Sequence, residues 1–173
     1  MKYFFLFINF MLASLFGCAQ VPTDRPYIVS PEFDNKIKKT LSFSVPVISP
    51  DELKKMDNVV ILDAREKEEY DVSHIENARF VGYKHFKTDV VSDIPKDAPI
   101  VLYCTIGYRS EKLGAKLKKQ GYTNVYNLYG SIFAWVNQGN KVVDKNGNAT
   151  DKVHTYNKAW SKWLNEEKGE RVW

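Results

Sequence analysis

The stretch Pro99-Ile100-Val101-Leu102-Tyr103-Cys104-Thr105-Ile106-Gly107-Tyr108-Arg109-Ser110 passes from an unbroken apolar run into a short loop that carries a cysteine, a glycine and an arginine. The run is what a strand buried on both faces needs, and Cys104 stands at its end. Ser110 then opens a segment in which Leu113 and Leu117 share one helical face, and Gly121 is positioned to end it. The prediction is strand, loop and helix, in that order.

The same alternation continues on both sides. Upstream, Ser49-Pro50-Asp51-Glu52 supplies an N-cap, a proline at the first helical position and acids in the first turn, predicting a short helix to Met56. Val59-Val60-Ile61-Leu62 reads as a buried strand ending at Asp63, Glu66 to Val72 as a helix and Ala78 to Tyr83 as a strand. Downstream, Asn124 to Leu128 returns as a strand, Gly130 turns the chain, and Ile132, Phe133, Trp135 and Val136 give a last helix its apolar face. Short strands alternating with helices predict an α/β domain whose central, mostly parallel sheet is flanked by helices. Ligands in such sheets sit at the carboxyl ends of the strands, where Asp63 and Cys104 both fall.

The loop itself reads as chemistry. A strand end, a glycine-containing turn and a helix start curl successive backbone N–H groups into an anion-binding nest with Cys104 at its rim. Such surroundings favour thiolate over thiol, so the pKa of Cys104 is expected to fall below the ordinary cysteine value. Arg109 offers a planar cationic fork for a sulfonate, phosphate or arsenate, and Gly107 permits tight curvature. Thr105, Ile106, Tyr108 and Ser110 complete the expected anion-binding loop. Asp63 and Arg65 either shape the pocket or form an ion pair that fixes the strand-to-helix turn, the second being the simpler reading. His74 reads as a hydrogen-bonded structural residue, and Lys112, Lys116, Lys118 and Lys119 as a solvated helix face.

Cys104-x-x-Gly107-x-Arg109-Ser110 after an apolar strand resembles the active loop of the rhodanese-like sulfurtransferases. Leu62-Asp63-Ala64-Arg65, Glu69-Tyr70, His74-Ile75 and Ala78 resemble the upstream motif of the same family, with Ser73 and Asn77 standing where glycines are usual. The resemblance implies a three-layer rhodanese-like fold and a double displacement. Cys104 would take sulfane sulfur from thiosulfate or a related donor as a persulfide and pass it to a thiol or cyanide-type acceptor, with no metal or organic cofactor.

Three other readings stay open at this point. Arsenate reductase or phosphatase chemistry uses a similar arginine-closed loop, but generally with five residues between cysteine and arginine, against four here. A rhodanese-type binding or sulfur-relay module, serving a protein partner, would not turn over a small donor at all. General thiol redox work lacks its usual Cys-x-x-Cys pair.

Composition bounds the rest. The 173 residues are 44% hydrophobic and 27% charged, which fits one globular domain and excludes a disordered or fibrous chain. A net charge of only +4, with basic residues scattered, gives no support to a nucleic-acid partner. His74, His85 and His154 are dispersed and match no zinc-ligand spacing, so no structural metal is expected.

The termini lie outside the shared motifs. Residues 1–17, a lysine followed by an apolar run, read as a secretory signal, shorter than the roughly 20 residues of a spanning helix. Leu15-Phe16-Gly17-Cys18 resembles the lipobox of bacterial lipoproteins, which implies export, acylation of Cys18 and a tether to the cell envelope; an ordinary cleaved signal is the alternative. Residues 18–44 read as a tether with a short turn of helix near Phe33 to Leu41, or as an extension packed on the domain. The rhodanese-like domain is expected over residues 45–140. In residues 141–173, Lys145-Asn146-Gly147-Asn148 predicts a hairpin turn between Val142-Val143 and Val153. Val153, Tyr156, Trp160, Trp163 and Leu164 then predict an amphipathic C-terminal helix packed on the domain.

Overall fold

A computed structural model of the chain describes residues 30–173. The expected signal segment, the lipidation site Cys18 and the first part of the expected tether lie outside the described residues.

Ser30 caps the first helix, α1 (Pro31–Thr40), by accepting the Phe33 N–H at 3.1 Å, with proline at N1. Strand β1 (Val47–Ile48) follows, then α2 (Pro50–Leu53), whose Ser49 and Glu52 form a capping box. Strand β2 (Val60–Asp63), helix α3 (Lys67–Val72), strand β3 (Arg79–Phe80) and a 3₁₀ turn (Thr88–Val91) lead into strand β4 (Ile100–Tyr103). Helix α4 (Tyr108–Lys119), strand β5 (Val125–Leu128) and helix α5 (Ser131–Asn137) complete the alternation. The five strands form one sheet in the order β1-β5-β4-β2-β3, every pair parallel. The expected parallel sheet flanked by helices is therefore present, with β3 shorter than the predicted Ala78–Tyr83 strand.

The central strand divides the core by simple alternation. Val101 and Tyr103 join the apolar layer that holds α1 and α5, through Phe33, Ile37, Ile132 and Phe133. Ile100 and Leu102 join the opposite layer with Leu113 and Leu117 of α4. Cys104 continues the even-numbered parity and packs on the α4 side, so the period of β4 aims its thiol toward that helix.

The C-terminal extension departs from the sequence reading, while the described part of the N-terminal one takes the second of its two expected forms. From residue 30 onward the N-terminal extension is packed, not a tether: Phe33, Ile37 and Leu41 lie one helical turn apart and are almost wholly buried. The predicted C-terminal amphipathic helix is absent. A hairpin of β6 (Val142–Val143) and β7 (Ala149–Thr150) turns at the predicted place, closed by N–H donations from Asn146 and Asn148 to the Asp144 carboxylate. Its second strand is Ala149–Thr150, whereas Val153 belongs to strand β8 (Lys152–His154), which pairs in parallel with β9 (Glu170–Val172). Between them only Lys158–Ser161 is helical, here α6. Tyr156 takes φ +67°, which stops any helix running through it, and the Asn157 side chain caps a new turn by accepting the Ala159 and Trp160 N–H groups. The helical spacing of the aromatics is incidental to a strand, a turn and a short helix.

The two extensions clasp each other. Phe33 of α1 stacks on Trp163 with ring centroids 5.5 Å apart, and Phe33 also meets Phe133 of α5. Phe33→Ala should lower the unfolding free energy by about 3–5 kcal/mol, measured by urea titration of the purified chain. A loss under about 1 kcal/mol would mean that α1 is not part of the folded unit.

Candidate functional site

A cleft of about 340 Å³ opens at the carboxyl ends of the central strands, with Cys104 among its lining residues. Cys104 is the only cysteine among the described residues and is 1% exposed. Its backbone is fixed at both ends of the peptide unit: the N–H donates to Ser131 Oγ at 3.1 Å, and the carbonyl accepts the Ile132 N–H at 3.2 Å.

The loop that follows is held at several residues. Gly107 N–H donates to Cys104 Sγ at 3.2 Å. Gly107 takes φ +118°, and a Cβ there would come within 3.3 Å of both the Asn127 side chain and Leu41, so glycine is required on two counts. Ser110, buried behind the loop, donates to Asn127 Oδ1 at 2.7 Å, while Asn127 Nδ2 donates to the Gly107 carbonyl at 3.0 Å. Thr105 is buried too, and its hydroxyl lies between Glu69 and Arg109.

Arg109 is fixed in a way that the sequence did not reveal. Its Nη1 and Nη2 donate to Glu69 Oε2 and Oε1 at 2.6 and 2.7 Å, and Nη2 also donates to Thr105 Oγ1 at 2.8 Å. Glu69 is itself buried and accepts the Glu66 N–H at 3.0 Å, so α3 and α4 are joined by a bidentate ion pair beside the Cys104 loop. Burial works against the Arg109 charge, but the Glu69 hydrogen bonds and the nearby sulfur raise its pKa. Burial likewise opposes the Glu69 carboxylate, and Arg109 more than compensates, leaving its pKa depressed.

Cys104 follows the same balance. Burial alone would push its thiol up; the Arg109 guanidinium, the Ser110 backbone and hydroxyl, and the Gly107 N–H together bring it below the ordinary thiol value. The site therefore favours a thiolate at the floor of an accessible cleft.

The residues named from sequence divide by position. Cys104, Thr105, Ile106, Tyr108 and Arg109 line the cleft, while Gly107 and Ser110 support it from behind. Asp63 and Arg65 do not line it. They form a fully buried ion pair in which Arg65 Nη2 meets Asp63 Oδ2 at 2.7 Å, and the Tyr103 hydroxyl donates to the same oxygen at 2.6 Å. This pair fixes the turn after β2 and ties it to β4. His74 stacks on Tyr70 with centroids 3.8 Å apart, its Nδ1 lies 3.0 Å from the Tyr70 carbonyl, and it is not a cleft residue. The two departures from the family motif are accommodated: Asn77 takes φ +62°, which asparagine tolerates, and Ser73 is simply extended.

Sequence reasoning missed Glu69 as the partner of Arg109, and it missed the walls of the cleft. Tyr83, Lys84, Tyr156 and Trp160 come from separate segments and meet there only in three dimensions. Glu69 lay within a quoted motif, but nothing in one sequence marks a charge as the partner of another residue forty positions away. Among the described residues no group of His, Cys, Asp or Glu is arranged to hold a metal, and no helix is long and apolar enough to cross a membrane.

Comparison with known proteins bears on family and fold. The family model for the rhodanese-like domain matches residues 49–138, slightly more than half of the chain. A tRNA uridine(34) hydroxylase of Aster yellows witches'-broom phytoplasma is 40% identical over 88 residues, covering 45% of this chain and 27% of that protein. A sulfurtransferase of Allochromatium vinosum is 46% identical over 57 residues, covering 33% of this chain and 53% of that protein. The chain thus spans about a quarter and about half of the length of these two relatives. The crystal structure of the BH2092 protein from Bacillus halodurans superposes with a TM-score of 0.53 at 22% identity, covering 67% of this chain and 86% of that one, a likeness of fold. The matched span contains the Asp63–Arg65 turn, Glu69 and the whole Cys104 loop, and the chain belongs to the rhodanese-like family.

Proposed function

We propose that the protein is a sulfurtransferase that carries sulfane sulfur from thiosulfate or a related donor to a thiol or cyanide-type acceptor through a persulfide on Cys104. The observation that carries this reading is the single thiol at the cleft floor, its pKa lowered by Arg109, Ser110 and Gly107 against the effect of burial. No general base is needed when the nucleophile is already a thiolate.

In the first half-reaction the Cys104 thiolate attacks the outer sulfur of thiosulfate. The sulfur–sulfur bond of the donor breaks, its electron pair leaves with sulfite, and a solvent proton completes the persulfide Cys104–Sγ–SH. In the second, an acceptor nucleophile attacks the outer sulfur and the electron pair of the Sγ–S bond returns to Sγ. Because both terminal nitrogens of Arg109 already face Glu69, the guanidinium acts as a fixed positive charge near the sulfur. Backbone N–H groups of the loop are left to stabilise the outer sulfur.

Four intervening residues between Cys104 and Arg109 favour sulfur over phosphoryl transfer. The same proposal includes export to the bacterial cell envelope and anchoring through lipid on Cys18, supported by the lipobox-like Leu15-Phe16-Gly17-Cys18.

Three outcomes test this reading. The intact mass of the reduced full chain should rise by one sulfur atom after thiosulfate and return on cyanide, with no gain in Cys104→Ser. No gain in a folded, reduced protein would reject thiosulfate, and turnover of arsenate or a phosphate ester would reject sulfur transfer. The rate of Cys104 alkylation by iodoacetamide should rise with pH about a midpoint below the roughly 8.5 of a free cysteine. In a Glu69→Gln/Arg109→Gln double variant that midpoint should move upward, because the stabilising cation is gone. Cys18→Ser should move the protein from the detergent-extracted membrane fraction to the soluble fraction, and an unchanged distribution would contradict the anchor.

A further inference from the structure

The cleft over Cys104 is larger than a small inorganic sulfur anion requires. Its volume of about 340 Å³ falls within the roughly 300–1,000 Å³ typical of pockets for small organic molecules. Sulfur uptake from an inorganic donor needs the loop amides and the thiolate. Beyond the loop, however, the walls include the rings of Tyr83, Tyr108, Tyr156 and Trp160, with Lys84 alongside.

Tyr156 and Trp160 lie outside the family-matched span of 49–138, in the segment where the sequence led us to expect a plain helix packed on the domain. The fold holds them at the cleft by specific means. Tyr156 takes φ +67°, a conformation costly for a bulky residue. Its N–H donates to His154 Nδ1 at 3.1 Å, and the preceding Thr155 N–H donates to the Val172 carbonyl at 2.6 Å, so β8 and β9 pin the turn. The Arg109 guanidinium sits 5.3 Å from the centroid of the Tyr156 ring, which is nevertheless 54% exposed. Trp160 is the one aromatic residue of α6 and carries the Lys36 ammonium of α1 at 4.8 Å. Each ring is thus steadied by a cation while remaining part of the cleft wall.

We propose that Tyr156 and Trp160 are specificity-determining residues that select, as sulfur acceptor, a small organic thiol with a flat unsaturated body. Aromatic walls gain energy from a second ring beyond the area buried, which an anion such as cyanide cannot supply. The volume admits one such body above Cys104, and the open cleft lets its thiolate reach the outer sulfur of the persulfide. The step balances without a further reagent: the acceptor thiolate attacks that sulfur, the Sγ–S bond breaks with its electron pair returning to Cys104, and the proton stays on the product R–S–SH. The inference rests on the sulfur-transfer reading, but the cleft's preference can be measured without it.

The experiment has two arms on the purified full chain. In the first, protein loaded with one sulfur is mixed with 4-mercaptobenzoate or with cyanide, and the second-order constants are compared for wild type, Tyr156→Leu and Trp160→Leu. The leucines keep apolar volume and remove the rings. The ratio of the aromatic-thiol constant to the cyanide constant should fall by about tenfold in each variant. An equal loss with both acceptors, or an unchanged ratio, overturns the proposal. In the second arm, 4-hydroxybenzoate, which carries no sulfur, should slow iodoacetamide alkylation of reduced wild-type Cys104 in a saturable way and lose that effect in the variants. Absence of protection in wild type overturns the proposal. Protection in a protein that never accepts sulfur would support the aromatic cleft while rejecting the transfer reaction.

Discussion

Glu69 is the carboxylate from which the reactive loop is hung. It reaches from α3 to both nitrogens of Arg109 at the start of α4, and to the Thr105 hydroxyl between them. Two charges have been taken out of water to make this pair, and only its bidentate geometry with added donors offsets their desolvation. Removing either partner strands the other, at about 3–5 kcal/mol. The same pairing defines where Arg109 sits: with both terminal nitrogens bound to Glu69, its charge is held at a fixed place near the Cys104 sulfur and lowers the thiol's pKa.

The rest of the scaffold serves that geometry. The alternation of β4 sends Ile100, Leu102 and Cys104 to one side and Val101 and Tyr103 to the other. Tyr103, on the far side, gives its hydroxyl proton to Asp63 and accepts the Ile75 N–H, which locks β4 to the turn after β2. Burial, and then the Asp63 charge, drive the Tyr103 pKa well above the ordinary phenol value, so the tyrosine stays a neutral donor. The buried Asp63–Arg65 pair is accordingly a structural support outside the cleft that Cys104 lines.

Much of this was legible in the sequence, for physical reasons that are local. The apolar run before Cys104, the Ser49 N-cap, the glycine at 107 and the leucines of α4 each state their structure within a few residues, and all agree with one parallel sheet. What was not legible depends on distant segments. Glu69 finds Arg109 only after the sheet has formed, and the Tyr83, Tyr156 and Trp160 rings meet only in the folded chain. The C-terminal segment misled because apolar residues at helical spacing also fit a strand followed by a turn, and the deciding feature was the left-handed Tyr156 before the Asn157 cap. The N-terminal segment was left open between a tether and a packed extension because its prolines and mixed charges obscured Phe33, Ile37 and Leu41, which are one turn apart and almost wholly buried in the core that includes α5.

These extensions change what a rhodanese-like core presents to solvent. In this chain the loop opens into a cleft walled partly by the C-terminal segment, and α1 braces that wall through Lys36 and Phe33. The measurement that tests the account most directly is a crystal structure of the protein after treatment with thiosulfate. The account predicts an added sulfur on Cys104 Sγ within hydrogen-bond reach of the loop N–H groups, with Arg109 still bidentate to Glu69. An unmodified thiol, or an Arg109 swung away from Glu69 to hold the donor's oxygens, would contradict it.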